Sequence, residues 1–281
     1  MTAIAKLGLG TVQFGQAYGV SNTRGQVTAA EAETILRLAS ARGVRLLDTA
    51  ANYGSAEAVL AALPTTPFRI VTKTVGVAQG IDAVVARARQ SARMLAADTL
   101  LVHAAGDLLG PDGDALWTAL LHLRDTGIFT HLGISTYVAD DPARLAARFR
   151  PDVMQLPFSL LDQRLLGDGT LARLRDMQVE VHARSLFLQG LLFLETLPPK
   201  LAHATPQLQA MRARIIAVGS TPLAAALGFV LSRPEIAFGL VGLTTASELE
   251  EILVAAERPL PDLDWPSFAL RDETVLTPSR W

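Results

Sequence analysis

The chain of 281 residues contains no cysteine, which removes disulfides, thiolate zinc sites and a cysteine nucleophile together and leaves the redox compartment open. Charge is sparse as well. Only 19% of residues are charged against 50% hydrophobic, so the chain has ample material for a core and does not fit a disordered segment. Its 25 basic and 27 acidic residues are scattered and nearly cancel, to a formal charge of -2. That balance lacks the basic footprint of a nucleic-acid binder. No apolar run approaches the roughly 18 residues of a membrane span, and Met1 to Lys6 shows no basic region followed by an apolar stretch. These absences read as a soluble, cytoplasmic protein with neither nucleic acid nor membrane as partner, and they are compatible with a monomer. A G-x-G-x-x-G after the first apolar run is also missing, which argues against a doubly wound dinucleotide fold.

What is present is an alternation of short apolar runs with helix-period segments, the sequence form of repeated βα units around a parallel sheet. Eight candidate strands run Lys6 to Gly10, Val44 to Asp48, Arg69 to Lys73, Thr99 to His103, Thr130 to Ser135, Val153 to Leu156, Glu180 to Ser185 and Ile236 to Val241. Helical segments lie between them, near Ala29 to Arg42, Ala56 to Leu63, Ile81 to Leu95, Asp114 to Arg124, Pro142 to Arg148, Gly169 to Met177, Pro222 to Leu231 and Ala246 to Ala256. Thr28 with Glu31 and Thr245 with Glu248 have capping-box spacing, while Asp141-Pro142 and Thr221-Pro222 place proline in the first turn. With no linker or composition shift, the pattern predicts an α/β fold, a single (β/α)8 TIM barrel over residues 1–281. Two pieces exceed a minimal barrel: a long insertion after strand seven, Ser185 to Thr221, and a C-terminal tail from Arg258 to Trp281. The tail's Trp265 and Trp281 are read first as barrel-covering hydrophobes and second as substrate contacts.

Reactive groups of a closed barrel sit where strands end. Strand two ends at Asp48, strand three at Lys73 and strand four at His103, and Tyr53 lies in the turn just after Asp48. Lysine occurs only three times, as Lys6, Lys73 and Lys200, so Lys73 does not belong to a general basic surface. An ammonium close to a phenol lowers the phenol's pKa from about 10 by stabilising the phenolate. Asp48 would keep that ammonium charged, Tyr53 would exchange a proton, and His103 would orient a substrate oxygen. His122, His131, His182 and His203 show no ligand spacing, and no metal is expected. Gln13, Phe14 and Phe158 read equally as pocket lining or loop packing, and Tyr18 and Tyr137 as pocket wall or surface.

At these residues the chain resembles the aldo-keto reductase family. The matching segments are LLDTAANYG (Leu46 to Gly54), IVTK (Ile70 to Lys73) and LLVH (Leu100 to His103), preceded by LGLGTVQFG (Leu7 to Gly15). GIST (Gly133 to Thr136), MQLPFSLLDQR (Met154 to Arg164), RSLFLQGLL (Arg184 to Leu192) and VGLTTASELEEIL (Val241 to Leu253) extend the likeness through nearly the whole chain. The resemblance implies a nicotinamide-dependent oxidoreductase acting on a small carbonyl or alcohol, with Tyr53 as general acid, Lys73 and Asp48 as its tuning pair and His103 orienting the carbonyl. It implies further that Ser135 and Gln155 hold the nicotinamide carboxamide and that Gly10 and Thr11 pass close to the ring. Ser185, Leu186, Gln189 and Gly190 would lie on the pyrophosphate. Gly242, Leu243, Thr244, Ser247, Glu248 and Glu251 would surround the adenosine.

Two positions depart from the family's commonest form. Arg184 stands where many members stack an aromatic ring on the nicotinamide. From Pro234 to Glu257 there is no Lys or Arg to pair with a 2'-phosphate, and Glu248, Glu250 and Glu251 are acidic, the type of side chain that accepts from a ribose hydroxyl. The cofactor is thus NADPH or NADH, with Arg212 and Arg214 of the insertion as the remaining candidates for a phosphate contact. Two other functions compete: a cofactor-binding regulatory module with little turnover, and a lyase using Lys73 as a Schiff-base amine. Asp48 beside Lys73 argues against the second, because it keeps the amine protonated.

Overall fold

The computed structural model describes residues 2–278 and 281. Eight strands close into an all-parallel barrel in sequence order: β1 (Leu7–Gly10), β2 (Leu46–Asp48), β3 (Arg69–Lys73), β4 (Thr99–Val102), β5 (His131–Ser135), β6 (Val153–Pro157), β7 (Glu180–Arg184) and β8 (Phe238–Gly242). The first strand pairs with both the second and the last. This is the TIM barrel expected from the alternation of apolar runs and helices. Strand ends shift by up to two residues. β8 begins at Phe238 rather than Ile236, and β4 stops at Val102, leaving His103 as the first loop residue.

Thr28, Asp141, Thr221 and Thr245 each accept an N–H from three residues on, satisfying donors that the first helical turn leaves unpaired. The carboxylates of the two expected capping boxes go elsewhere. Glu31 Oε1 accepts from Ala246 N at 2.7 Å, and the Glu248 carboxylate accepts from Thr244 N at 2.6 Å. Glu31 thereby ties the Ala29–Ala41 helix to the start of the Ala246–Ala256 helix.

Strand side chains alternate between barrel interior and helical layer, so residues two apart stack inside the barrel. Leu46, Val71, Leu101, Val153 and Leu240 form the apolar middle layer, with Phe238 against it. There is no space beside them for two further side chains. A Cβ on Gly133 would lie 2.4 Å from Leu101 Cδ2, and one on Gly8 2.7 Å from Leu240 Cδ2. Two residues further along the strands come Asp48, Lys73, His103 and Gln155, which makes the upper layer polar.

At the opposite end Arg69 donates to Glu180 Oε1 at 2.6 Å and to Thr99 Oγ1 at 3.0 Å, and His182 Nε2 lies 2.7 Å from Glu180 Oε1. Burial alone would raise the Glu180 carboxyl, but the His182 hydrogen bond and the electrostatic pull of His182 and Arg69 outweigh it and hold it at about 2. A depressed carboxyl contributes stability above its unfolded pKa and loses it as pH falls through the folded one. Wild-type protein should therefore lose thermal stability between about pH 4.5 and 2. Thermal melts of Glu180→Gln should start lower at pH 7 and decline less steeply over that acid range.

The insertion after β7 is built rather than loose: it carries short 3-10 turns and the helix Thr205–Ala217. The tail packs on the flank of the barrel. Trp265 lies 5.5 Å from Phe229 between ring centroids, its carbonyl accepts from Gln163 Nε2 at 2.7 Å, and Leu270 N donates to Leu161 O at 2.8 Å. Trp265 thus covers the Pro222–Leu231 helix and does not face the barrel mouth, and Trp281 donates to Thr274 O within the tail. Among the described residues no single helix is long and apolar enough to cross a membrane.

Candidate active site

Asp48 and Lys73 end adjacent strands with their side chains inside the barrel, and the Lys73 ammonium, only 1% exposed, finds three acceptors there. It donates to Asp48 Oδ1 at 2.6 Å, Thr49 O at 2.9 Å and Tyr53 OH at 3.3 Å. Burial opposes its charge, yet Asp48 and the Tyr53 oxygen together raise its pKa above the ordinary lysine value. Lys73 is therefore charged at physiological pH. The other Asp48 oxygen accepts from Gln155 Nε2 at 2.6 Å, so the carboxylate is held from both sides.

Tyr53 is placed by a close backbone approach. Its turn returns under the loop that follows β1, where a Cβ on Gly15 would fall 1.7 Å from Tyr53 O. Only glycine fits there. His103, anchored by its N–H to Thr74 Oγ1 at 3.2 Å, meets the Tyr53 ring edge-on with 5.7 Å between centroids. Burial first, then the Lys73 charge, lower its pKa to about 4; Asp48 opposes them, and Arg184 adds a smaller lowering. The imidazole is neutral at physiological pH and offers one N–H donor and one acceptor.

These groups open into a cavity of about 1080 Å³ at the C-terminal mouth of the barrel. Asp48, Tyr53 and His103 line it while Lys73 lies behind them. Of the residues assigned to a cofactor from the sequence, Gly10, Ser135, Gln155, Arg184, Ser185, Leu186, Gln189, Gly190, Gly242, Leu243, Thr244, Glu248 and Glu251 line the same cavity. Thr11 and Ser247 do not. Thr11 is fully buried and donates to Asp48 O at 3.0 Å, tying β1 to β2, whereas Ser247 is exposed outside the mouth. Gln13, Tyr18 and Tyr137 line the cavity too, while Phe14 and Phe158 pack in the core. Among the described residues no three metal-ligating side chains converge.

The loop after β7 has left-handed backbone at Ser185, Leu188, Gln189 and Gly190, and the N–H groups of Leu186 and Phe187 have no partner among the described residues. Successive free amides in such a bend form an anion-binding nest. The loop after β1 leans onto this segment: Ser21 donates to Gln189 O at 3.2 Å and Gln189 Nε2 to Tyr18 OH at 3.0 Å. Arg24 and Asp107, which sequence reading passed over, also face the cavity. For Arg24 the only advance signal was the long polar stretch between β1 and the Ala29–Ala41 helix, and Asp107, in the short turn after β4, had none, because nothing in the local pattern says which loop folds over the mouth.

A family model described as "Aldo/keto reductase family" matches residues 6–269. The chain belongs to the aldo/keto reductase family. An aldo-keto reductase of Mycolicibacterium smegmatis is 30% identical over 155 residues, 51% of this chain and 54% of that protein. Oxidoreductase YdhF of Escherichia coli is 34% identical over 117 residues, 40% of this chain and 39% of that protein. The chain thus spans about half or less of the curated relatives it matches. The holo form of the aldo-keto reductase AKR11C1 from Bacillus halodurans has the same fold, with a TM-score of 0.74, 18% identity, and coverage of 98% of this chain and 93% of that one.

Within this reductase fold the two departures have structural form. Arg184 Nη2 donates to Thr136 O at 3.0 Å and its guanidinium lies 4.3 Å from the Tyr137 ring centroid. The Ala246–Ala256 helix has carboxylates at its N-terminus, from Glu248 and from Glu31. Neither insertion arginine lines the cavity: Arg212 donates to Leu194 O at 2.7 Å, and Arg214 to Ser267 Oγ at 2.8 Å.

Proposed function

We propose that the protein interconverts small carbonyl compounds and the corresponding alcohols with a nicotinamide dinucleotide, Tyr53 exchanging the proton. The observation that carries this reading is the Tyr53 hydroxyl held against a buried ammonium at 3.3 Å, beside a neutral His103, on the wall of a large cavity. The bare ends of β1 and β8 at Gly10 and Gly242, the nest after β7 and a volume of about 1080 Å³ suit a dinucleotide with a small substrate beside it. When bound, the dinucleotide supplies or accepts the hydride.

In the reductive direction Tyr53 gives its proton to the carbonyl oxygen, and Lys73 stabilises the negative charge that develops on the Tyr53 oxygen. Asp48 keeps Lys73 charged, and an N–H of His103 fixes the carbonyl oxygen within reach of Tyr53. Gln155, with its Nε2 given to Asp48, keeps its Oε1 for the carboxamide, and Ser135 adds a hydroxyl. A Schiff-base role for Lys73 has no support, because an ammonium with three acceptors has no lone pair to attack with. Incubation with NADH or NADPH and a panel of aldehydes and ketones tests the reading: cofactor oxidation that depends on Tyr53 is expected, and absence of any cofactor binding would overturn it.

The dinucleotide favoured by the acidic helix start is the one without a 2'-phosphate. Like charges about 4 Å apart repel by about 1 kcal/mol even in bulk water and by more beside a protein surface, so NADH should bind at least about fivefold more tightly than NADPH. Calorimetric titration of both cofactors measures this, and Glu248→Gln should narrow the gap. Tighter binding of NADPH would instead assign the phosphate to Arg24, whose guanidinium has no partner among the described residues.

A further inference from the structure

Arg184 brings a charge to the cavity that no acid cancels. Among the described residues no Asp or Glu forms an ion pair with it, while the neighbouring Asp48 is already neutralised by Lys73. Of the other cavity-lining acids, Asp107, Asp140, Glu248 and Glu251, none forms an ion pair with it: the Asp140 carboxylate accepts from Tyr137 N at 2.7 Å, and Glu248 holds Thr244 at the adenosine end. The guanidinium is also fixed in place. It reaches from the end of β7 across β6 to the carbonyl of Thr136 at 3.0 Å, touches Ser185 Oγ at 3.4 Å and stacks on Tyr137. Thr136 follows Ser135, and Ser135 pairs in register with Gln155. The charge is therefore anchored beside the two side chains that, on the reading above, hold the carboxamide. An arginine cannot shed its proton there.

A nicotinamide ring is cationic when oxidised and uncharged when reduced. A fixed cation beside it raises the free energy of one form and leaves the other nearly untouched. We infer that Arg184 is a tuning residue that makes this site hold the reduced nicotinamide in preference to the oxidised one. The inference rests on the proposed function, since it needs the ring to lie at Ser135 and Gln155. On the enzyme it draws the equilibrium toward the direction in which the alcohol carbon passes a hydride to the ring, and the alcohol proton passes to the Tyr53 oxygen, yielding the carbonyl.

The test is the ratio of dissociation constants for oxidised and reduced cofactor, measured by calorimetry on wild type, Arg184→Met, Arg184→Gln and Arg184→Lys. NAD⁺ and NADH are titrated first, then NADP⁺ and NADPH. The ratio should be at least about tenfold larger in wild type than in the Met and Gln variants, the size expected for two unit charges several ångström apart at intermediate dielectric. Tenfold corresponds to about 30 mV in the midpoint of a bound two-electron couple. Arg184→Lys keeps the charge and should retain most of the ratio; it serves as the arm least prone to misfolding. Equal ratios in wild type and the uncharged variants, with both forms bound, would overturn the role of Arg184 and leave the proposed function standing. Failure of wild type to bind either form of either cofactor would overturn both.

Discussion

Tyr53→Phe is expected to lower kcat for carbonyl reduction by about 10²- to 10⁴-fold while the cofactor's dissociation constant changes by less than about twofold. The substitution deletes one oxygen and keeps the ring, so the edge-on contact with His103 and the close backbone approach at Gly15 survive. What disappears is the third acceptor of the Lys73 ammonium and, on the proposed function, the proton for the carbonyl oxygen. A loss confined to kcat identifies an interaction made only in the transition state. Steady-state kinetics with one aldehyde and a cofactor titration on the same variant measure both quantities. The wild-type rate should show no inflection near pH 6.5, because His103 stays neutral down to about pH 4. A variant within about tenfold of wild type would move the proton donor from Tyr53 to His103 or to solvent.

Asp48 and Lys73 were legible as candidate site residues because each is a charged group closing a short strand-like run, and such strand ends lie at the barrel mouth. Ser135 and Gln155 came from the family resemblance. Even so, the use of Gln155 was hidden. Its hydrogen bond to Asp48 joins residues 107 apart in the chain and depends on the closure of the barrel, which no local pattern encodes. The same holds at the other rim, where Arg69, Thr99, Glu180 and His182 look like ordinary strand-start residues until closure brings them together.

Charges misled where they were long-armed. Arg212 and Arg214 stood in a segment expected near the cofactor, but the insertion folds as a helix in which Arg212 donates to backbone and Arg214 to the tail, and neither lines the cavity. The capping boxes were half right for a similar reason: a Thr cap is fixed by its own turn, whereas a Glu reaches whichever free N–H is nearest. For Glu31 that donor is Ala246 on another helix, 2.7 Å away. Arg184 could be read as a departure, yet its direction across β6 to Thr136 needed the structure.

Asp48→Asn should cost about 3–5 kcal/mol of folding stability, the penalty for leaving a buried charge without its partner. That is a large part of the roughly 5–15 kcal/mol that holds an average domain together. Lys73 is 1% exposed and cannot turn to water. The substituted amide presents a neutral group, and in one of its two orientations an N–H donor, to an ammonium on one side and to Gln155 Nε2 on the other, both of which require acceptors. In wild type the raised Lys73 pKa means that the pair's contribution is complete below the ordinary lysine value and is lost only as pH rises through the folded one. The variant's deficit should therefore be fully present at neutral pH, where denaturant unfolding measures it. Replacing both partners, as Asp48→Asn with Lys73→Met, should recover more than half of the loss, since no buried charge remains, and still leave carbonyl reduction abolished. A double variant no more stable than Asp48→Asn would locate the loss in the severed Gln155 contact instead of the stranded ammonium, and recovery of activity with stability would take Lys73 out of the chemistry.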